Sequence, residues 1–418
     1  MKKYAINLVF CLLSVTISHA QGNLQLTIDN LQLTGDSTLS TPRSLPMKLD
    51  SLIANSPLLE TTQLGLMVWD LTADSALYAY NHRQRMRPAS TMKLLTAITA
   101  LDLCGGNYAL TTELRYRGEL VGRKFLGDIV CVGGMDPAFD SGDLRCFVDR
   151  IREIGIDTIC GSIVADKSMK DTLLLGEGWC WDDDNPCLSA LLVNRKNNFV
   201  ARLTKELTDV GVVFLENPTL NTQHSTFNIQ PSTFNIQHPS PVKIQHSIDQ
   251  ILTRMMKQSD NLYAETMFYH AALATSRPAT RKNACAAVRQ MIQKMGFDTA
   301  QYTVADGSGL SLYNYVSPEL LTAFLRYAWR NERILVHLEP SLPIAGIDGT
   351  LKDRMKTSAA YRNVRAKTGT VSGISSLAGY ATAPDGHRLA FAIINQGILK
   401  TSDGKAFQNQ VCKLLCEP

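Results

Sequence analysis

Three short strings carry residue types suited to serine acyl transfer: Ser90-Thr91-Met92-Lys93, Ser259-Asp260-Asn261 and Lys367-Thr368-Gly369. A serine hydroxyl is a poor nucleophile until a base takes its proton. Ser90 and Lys93 are one helical turn apart and would share a helix face. Met92, Leu94 and Leu95 surround Lys93, and burial disfavours an ammonium, so a neutral amine becomes accessible there. Ser90 would lie in the first helical turn, where free N–H groups and the helix dipole favour a developing oxyanion. Ser259 would relay a proton between Lys93 and a leaving amine, while Asn261 would fix the lysine and a substrate amide. Lys367, on an edge strand, would supply positive charge for a substrate carboxylate, and Thr368 would hydrogen-bond it. Gly369 would let a substrate backbone approach closely. The N–H of Thr370 would complete an oxyanion hole with that of Ser90.

Each string alone is weak. An S-x-x-K arises by chance about once or twice in a chain of this length, and Ser240-Pro241-Val242-Lys243 and Ser402-Asp403-Gly404-Lys405 are such strings. Their proline, glycine and polar neighbours argue against a buried helix start. S-D-N is also an ordinary helix N-cap, and K-T-G in a turn would mean little. The order and spacing of the set, each member in a fitting local context, carry the signal.

The elements that must position these residues follow from periodicity. Pro88 precedes ASTMKLLTAITALDL, which is apolar nearly all round and closes at Gly105-Gly106. That pattern predicts a buried helix with proline at its start and glycine at its end. Gly65 to Tyr80 reads as a hairpin. Near the C-terminus, VRAKTGTV, SSLAGYAT and RLAFAIINQG alternate with period two, and Ala383-Pro384-Asp385-Gly386 joins the last two, predicting an antiparallel sheet. A helix over Ala406 to Cys416 would cover it. Between residues 111 and 220, short strand-like runs surround the amphipathic run CFVDRIREIG, as in a separate, inserted α+β domain. Residues 221–246 repeat STFNIQ at Ser225–Gln230 and Ser232–Gln237; a duplicated polar run builds no core and reads as a loop. The first part of the main domain spans 46–110 and the second 247–418.

Composition narrows the class. Of 418 residues, 45% are hydrophobic and 19% charged, with a net charge of +4 and no basic block, so a nucleic-acid surface is not indicated. Lys2-Lys3, the apolar run Ile6 to Val15 and Ser18-His19-Ala20 form a three-part export signal over 1–20, followed by a polar tether over 21–45. No later stretch is long enough to span a bilayer as a helix, so the mature protein should be exported and periplasmic, without an integral membrane segment. Ten cysteines include Cys11; Cys180 and Cys187 are the pair most worth testing for a disulfide. No C-x-x-C occurs, and neither a metal nor another cofactor is called for.

With the three strings and these elements in place, the chain resembles the D-alanyl-D-alanine carboxypeptidase/endopeptidase family of low-molecular-mass penicillin-binding proteins. Pro88-Ala89-Ser90-Thr91-Met92-Lys93 matches its nucleophile segment, and Gly133-Gly134-Met135-Asp136-Pro137 resembles a signature of its inserted domain. Asp306-Gly307-Ser308-Gly309-Leu310-Ser311 and the run from Leu342 to Leu351 also look like family strings. Leu312 departs from the pattern, since relatives often carry arginine there. The resemblance implies a transpeptidase-like (β-lactamase-like) α/β fold with an antiparallel sheet between helix layers. It also implies hydrolysis of D-Ala-D-Ala stem peptides of peptidoglycan through an acyl-enzyme on Ser90, with β-lactam antibiotics as inhibitors. A β-lactamase of the same fold usually needs an extra glutamate in an E-x-x-L-N string, and Glu216 to Asn221 has one residue too many. A non-catalytic binder would be expected to lose a motif residue, and all are present.

Overall fold

Alternation along the C-terminal strands decides the architecture. A computed structural model of the chain describes residues 44–182, 184–215, 236–237 and 239–418. The expected signal (1–20), the tether up to residue 43 and residues 216–235 lie outside the described residues. A five-stranded antiparallel sheet runs in the order Arg365–Val371, Ile374–Thr382, Arg388–Gln396, Gln63–Asp70, Ser75–Tyr80. Leu377, Ala381, Leu389, Phe391 and Ile393 point into one core, and Ala378, Tyr380, Ala390, Ala392 and Ile394 into the other. A period of two therefore splits one apolar run between two helix layers. Fully burying a side chain such as Phe391 contributes roughly 1.5–3 kcal/mol. Helices Leu45–Ala54 and Thr401–Cys416 cover one face, while Met92–Cys104 and Pro318–Trp329 cover the other. Every residue from Met92 to Leu101 is buried, as a helix apolar on all sides requires. The chain leaves that helix through Gly105 at φ +80°, a left-handed exit that glycine adopts without strain.

The C-terminal helix begins at Thr401, earlier than the sequence suggested. Ser402 thus does sit at a helix start, but on its exposed side, while Gly404 packs against Ser375 and Ile398.

A second sheet gathers Val213–Leu215, Thr158–Cys160, Lys124–Val132, Ala109–Val121 and Ile236–Gln237, with Ile163–Asp166 and Val242–Ser247 pairing beside them. Its core of Phe125, Phe139, Phe147, Phe199 and Leu203 lies under helices Ser141–Glu153 and Phe199–Asp209. Asp140 and Asp143 close the first of these helices with a capping box. The loop expected over 221–246 ends sooner than the sequence suggested. Val242–Ser247 is a strand, antiparallel to Ala109–Leu114, because Val242 and Ile244 alternate with polar residues and pack on the second core. Its last residue, Ser247, caps the next helix, Ile248–Lys257. Cys180 and Cys187 are both free thiols, so the disulfide considered for them is not formed.

Replacing Val242–Gln245 with a Gly-Ser linker would strip Ala109–Leu114 of an outer partner. At about 0.5–1.5 kcal/mol per net hydrogen bond and roughly 2–4 °C per kcal/mol, the melting temperature should fall by about 5 °C or more in calorimetry. An unchanged transition would show that this strand adds no stability.

Candidate active site

The segment around Ser90 is a strained turn rather than a plain helix start. Ala89–Thr91 form a 3-10 turn that runs into helix Met92–Cys104. Ala89 has φ +48°, a left-handed conformation that costs a non-glycine residue roughly 1–3 kcal/mol and persists only where neighbours enforce it. Here Thr91 Oγ1 and Ser376 Oγ both donate to the Pro88 carbonyl, at 2.7 and 2.6 Å. A Cβ on Gly309 would lie 1.9 Å from the Ala89 carbonyl oxygen, so the loop after Asp306 presses on the turn from the other side.

Lys93 is 0% exposed. Its Nζ donates to Ser90 Oγ at 2.9 Å, Asn261 Oδ1 at 2.8 Å and the Ser308 carbonyl at 2.8 Å. Burial pulls this amine down to about 8, against the opposing pull of Asp306, Glu265 and Asp260. A neutral amine is therefore within reach near neutral pH, in contact with the hydroxyl it would deprotonate.

Ser259 also holds a left-handed backbone, φ +58°. Asp260 caps helix Asn261–Leu273 by accepting from the Leu262 N–H, so the string is an N-cap and a site segment at once. Burial would raise the Asp260 carboxyl, but Arg195 and Arg254 outweigh it and hold it below the usual range. Arg195, from the loop that precedes helix Phe199–Asp209, grips both Asp260 oxygens. A cleft of about 760 Å³ opens there, lined by Asn185, Asn194, Arg195, Lys196, Asp260 and Asn261 among others.

Strand Arg365–Val371 forms the edge of the five-stranded sheet. The Ala366 N–H donates outward to the Pro343 carbonyl, so by strand alternation the N–H groups of Thr368 and Thr370 also face the open edge. Lys367 is 0% exposed; its Nζ donates to Ser259 Oγ at 2.8 Å and to the Thr368 carbonyl at 2.6 Å. Burial first, and then the charge of Lys93, push this amine well below the usual lysine range.

Three placements differ from the sequence expectation. Lys367, expected to supply positive charge for a substrate carboxylate, turns its amine to Ser259 in this structure. Ser259 is hydrogen-bonded to Lys367, whereas a relay from Lys93 was expected. A Cβ on Gly369 would meet Ser376 Oγ at 2.1 Å, the Pro88 carbonyl at 2.8 Å and Ser90 N at 2.9 Å. The missing side chain thus makes room for the nucleophile turn, a neighbour the sequence reading did not name. Thr368 Oγ1 donates to Thr350 Oγ1 at 2.7 Å, and Thr370 is exposed.

Sequence reasoning passed over Glu265, Ser376 and Arg195, and touched Thr350 only within the family-like run from Leu342 to Leu351. The Asp306–Ser311 string was noted only as a likeness. Glu265 stands four residues after Asn261, on the same helix face, which was the available signal.

Gly369→Ala should push the nucleophile turn away from the strand. A displacement of about 1 Å can cost a hundredfold in rate, so β-lactam labelling of Ser90, followed by mass spectrometry, should slow by about that factor. Labelling at the normal rate would mean that the turn does not depend on this contact.

Comparison with known proteins identifies the assembly. The D-Ala-D-Ala carboxypeptidase 3 (S13) family matches residues 45–234 and 236–417. The chain is 26% identical to the D-alanyl-D-alanine carboxypeptidase DacB of Haemophilus influenzae, over 85% of this chain and 90% of that one. It is 27% identical to the D-alanyl-D-alanine carboxypeptidase of an Actinomadura species, over 82% and 80% of the two chains. Among solved structures, penicillin-binding protein 4 of H. influenzae shares the fold with a TM-score of 0.76 at 23% identity, covering 88% of this chain and 99% of that one. It has also been solved in complex with a β-lactam. A peptidoglycan endopeptidase of Bdellovibrio bacteriovorus has a TM-score of 0.56 at 15% identity, covering 85% and 92% of the two chains. Together with the serine and lysine geometry, the match over nearly all of the described residues shows that this chain belongs to the D-Ala-D-Ala carboxypeptidase 3 (S13) family of serine peptidases.

Proposed function

We propose that the protein removes the terminal D-Ala from peptidoglycan stem peptides through an acyl-enzyme on Ser90. The observation that carries this reading is the fully buried Lys93 amine, 2.9 Å from Ser90 Oγ. Lys93 takes the Ser90 proton as the hydroxyl oxygen attacks the penultimate carbonyl. The oxyanion forms between the N–H groups of Ser90 and Thr370, which lie on either side of the Gly369 contact. As the C–N bond breaks, the Ser259 hydroxyl gives its proton to the leaving D-Ala amine and takes one from the Lys367 ammonium hydrogen-bonded to it. Water then attacks the ester: its hydroxyl joins the acyl carbon, its other proton passes through Ser259 to Lys367, and the Lys93 ammonium returns its proton to Ser90 as the ester C–O bond breaks. Asn261 holds Lys93 in place, while Thr368 and Thr370 line the open edge where the terminal carboxylate would lie, with the Lys367 charge behind them. β-Lactams would acylate the same serine.

Export to the periplasm fits Lys2-Lys3, the apolar run that follows them and the small residues at Ser18 and Ala20. Among the described residues, no helix is long and apolar enough to cross a membrane.

Incubation with penicillin should add one β-lactam mass to Ser90, and Ser90→Ala should abolish it. Wild-type protein should release D-Ala from muropeptides, or split cross-linked dimers, over many turnovers while the penicilloyl ester persists. Rapid penicillin turnover with muropeptides left intact would favour a β-lactamase instead.

The state of Lys93 adds a pH test. Its folded pKa is lowered to about 8, so the reactive amine gains population as pH rises, and acylation should climb through about that pH. Lys93→Arg keeps a positive charge but cannot deprotonate, and should slow acylation by several orders of magnitude. A flat profile together with near-normal acylation by the arginine variant would remove Lys93 as the base.

A further inference from the structure

A buried turn that none of the three strings contains holds the Lys93 amine in place. Residues 306–309 are wedged between helices Met92–Cys104 and Asn261–Leu273, and Asp306 and Ser308 are essentially without exposure. Several polar groups of this turn have specific partners on the two helices or within the turn. Glu265 Oε1 accepts the N–H groups of Gly307 and Ser308, at 3.0 and 2.7 Å. Thr96 Oγ1 donates to the Gly307 carbonyl at 2.6 Å. Asp306 accepts the Gly309 N–H and the Ser308 hydroxyl, at 2.8 and 3.2 Å. The Ser308 carbonyl receives Lys93 Nζ. A Cβ on Gly307 would sit 2.4 Å from Phe268 Cβ, so the turn has no room to slide toward the helix.

We infer that Glu265 is a positioning residue for Lys93, clamping the 307–308 turn that orients the amine and placing a carboxylate where it biases the charge of that amine. The inference rests on the proposed base role of Lys93 and adds to it a residue that touches neither Ser90 nor the substrate. Asn261 and Glu265 are four residues apart on one helix face, so a single helix restrains Lys93 twice, once directly and once through the turn. Two buried N–H groups on one carboxylate oxygen favour its ionised form, although burial, with Asp306 adding to it, pushes this carboxyl up to about 8. Other ionisable groups act on the pair. Asp306 and Asp260 favour the Lys93 ammonium, Lys367 stands on the strand side, and Tyr269 and Cys285 feel the Glu265 charge.

The sign follows from charge. Glu265 and Lys93 titrate in the same range, so as Glu265 ionises its charge holds the proton on Lys93; removing that charge lowers the Lys93 pKa and moves the acidic limb of acylation to lower pH. Glu265→Gln keeps an acceptor for the turn, and Glu265→Ala keeps none. Acylation of full-length protein by a chromogenic β-lactam should be followed against pH, alongside an NMR titration of lysine Cε with Lys93→Arg for assignment. For the glutamine variant, the limb and the Lys93 midpoint should both fall, by up to about one pH unit, with less than a tenfold loss of the plateau rate. The alanine variant should lose about a hundredfold in plateau rate. A glutamine profile that superimposes on wild type or moves to higher pH would overturn the inference, even if melting temperature drops. So would wild-type acylation by a folded alanine variant; should that variant not fold, the glutamine profile decides. If wild-type Ser90 takes no label at all, the proposed function fails, and the Lys93 midpoint in the glutamine variant still judges the role of Glu265.

Discussion

An amine with no solvent exposure must find all its hydrogen-bond partners inside the protein, and Lys93 finds three of them on three separate chain segments. One is the serine beside it, one begins the S-D-N helix, and one is a backbone carbonyl in the turn after Asp306. The site is built around this requirement. Leaving such a group without partners costs far more than a missing surface contact. The same burial that creates the demand lowers the amine's proton affinity. Structural necessity and chemical competence therefore share one cause.

Close backbone approach is the second constraint. Gly309 and Gly369 press on the nucleophile turn from opposite sides, and neither leaves space for a Cβ. Between them, Ala89 is held in a conformation it would not choose, with the Pro88 carbonyl fixed by two hydroxyl donors. The turn owes its shape to the loop and the edge strand, and only weakly to local propensity. A buried sheet supplies the rigidity, because its central strands carry apolar side chains on both faces and cannot shift register without exposing them.

The second sheet contributes to the site by reaching across to it. Arg195 binds the Asp260 carboxylate with two nitrogens, an arrangement that fixes orientation as well as charge. Asp260 lies between Ser259 and Asn261, so the inserted segment helps to hold the helix start that carries both. The segment's own stability comes from a phenylalanine-rich core and from strand Val242–Ser247, which returns the chain to the main sheet's helices.

Much of this was legible in the residue order. The period-two runs near the C-terminus, the all-apolar helix after Ser90 and the three strings specified the fold class, the antiparallel sheet and the residues that would meet, since these are properties of local pattern. Other features depended on contacts between distant segments. The duplicated polar run made 221–246 read as a single loop, but pairing with Ala109–Leu114 turns its end into a strand. Period and composition placed Lys367 on an edge strand, yet only packing turned its amine toward Ser259. Gly369 was recognised as a position needing space, but the neighbour needing it proved to be Pro88–Ser90. Glu265 looked like one more polar residue in a helix until folding set the 307–308 turn against it. Local sequence determines which elements form and which faces are apolar. Only the tertiary structure decides which buried polar group must answer which, because that depends on which chain segments the fold brings within hydrogen-bonding distance.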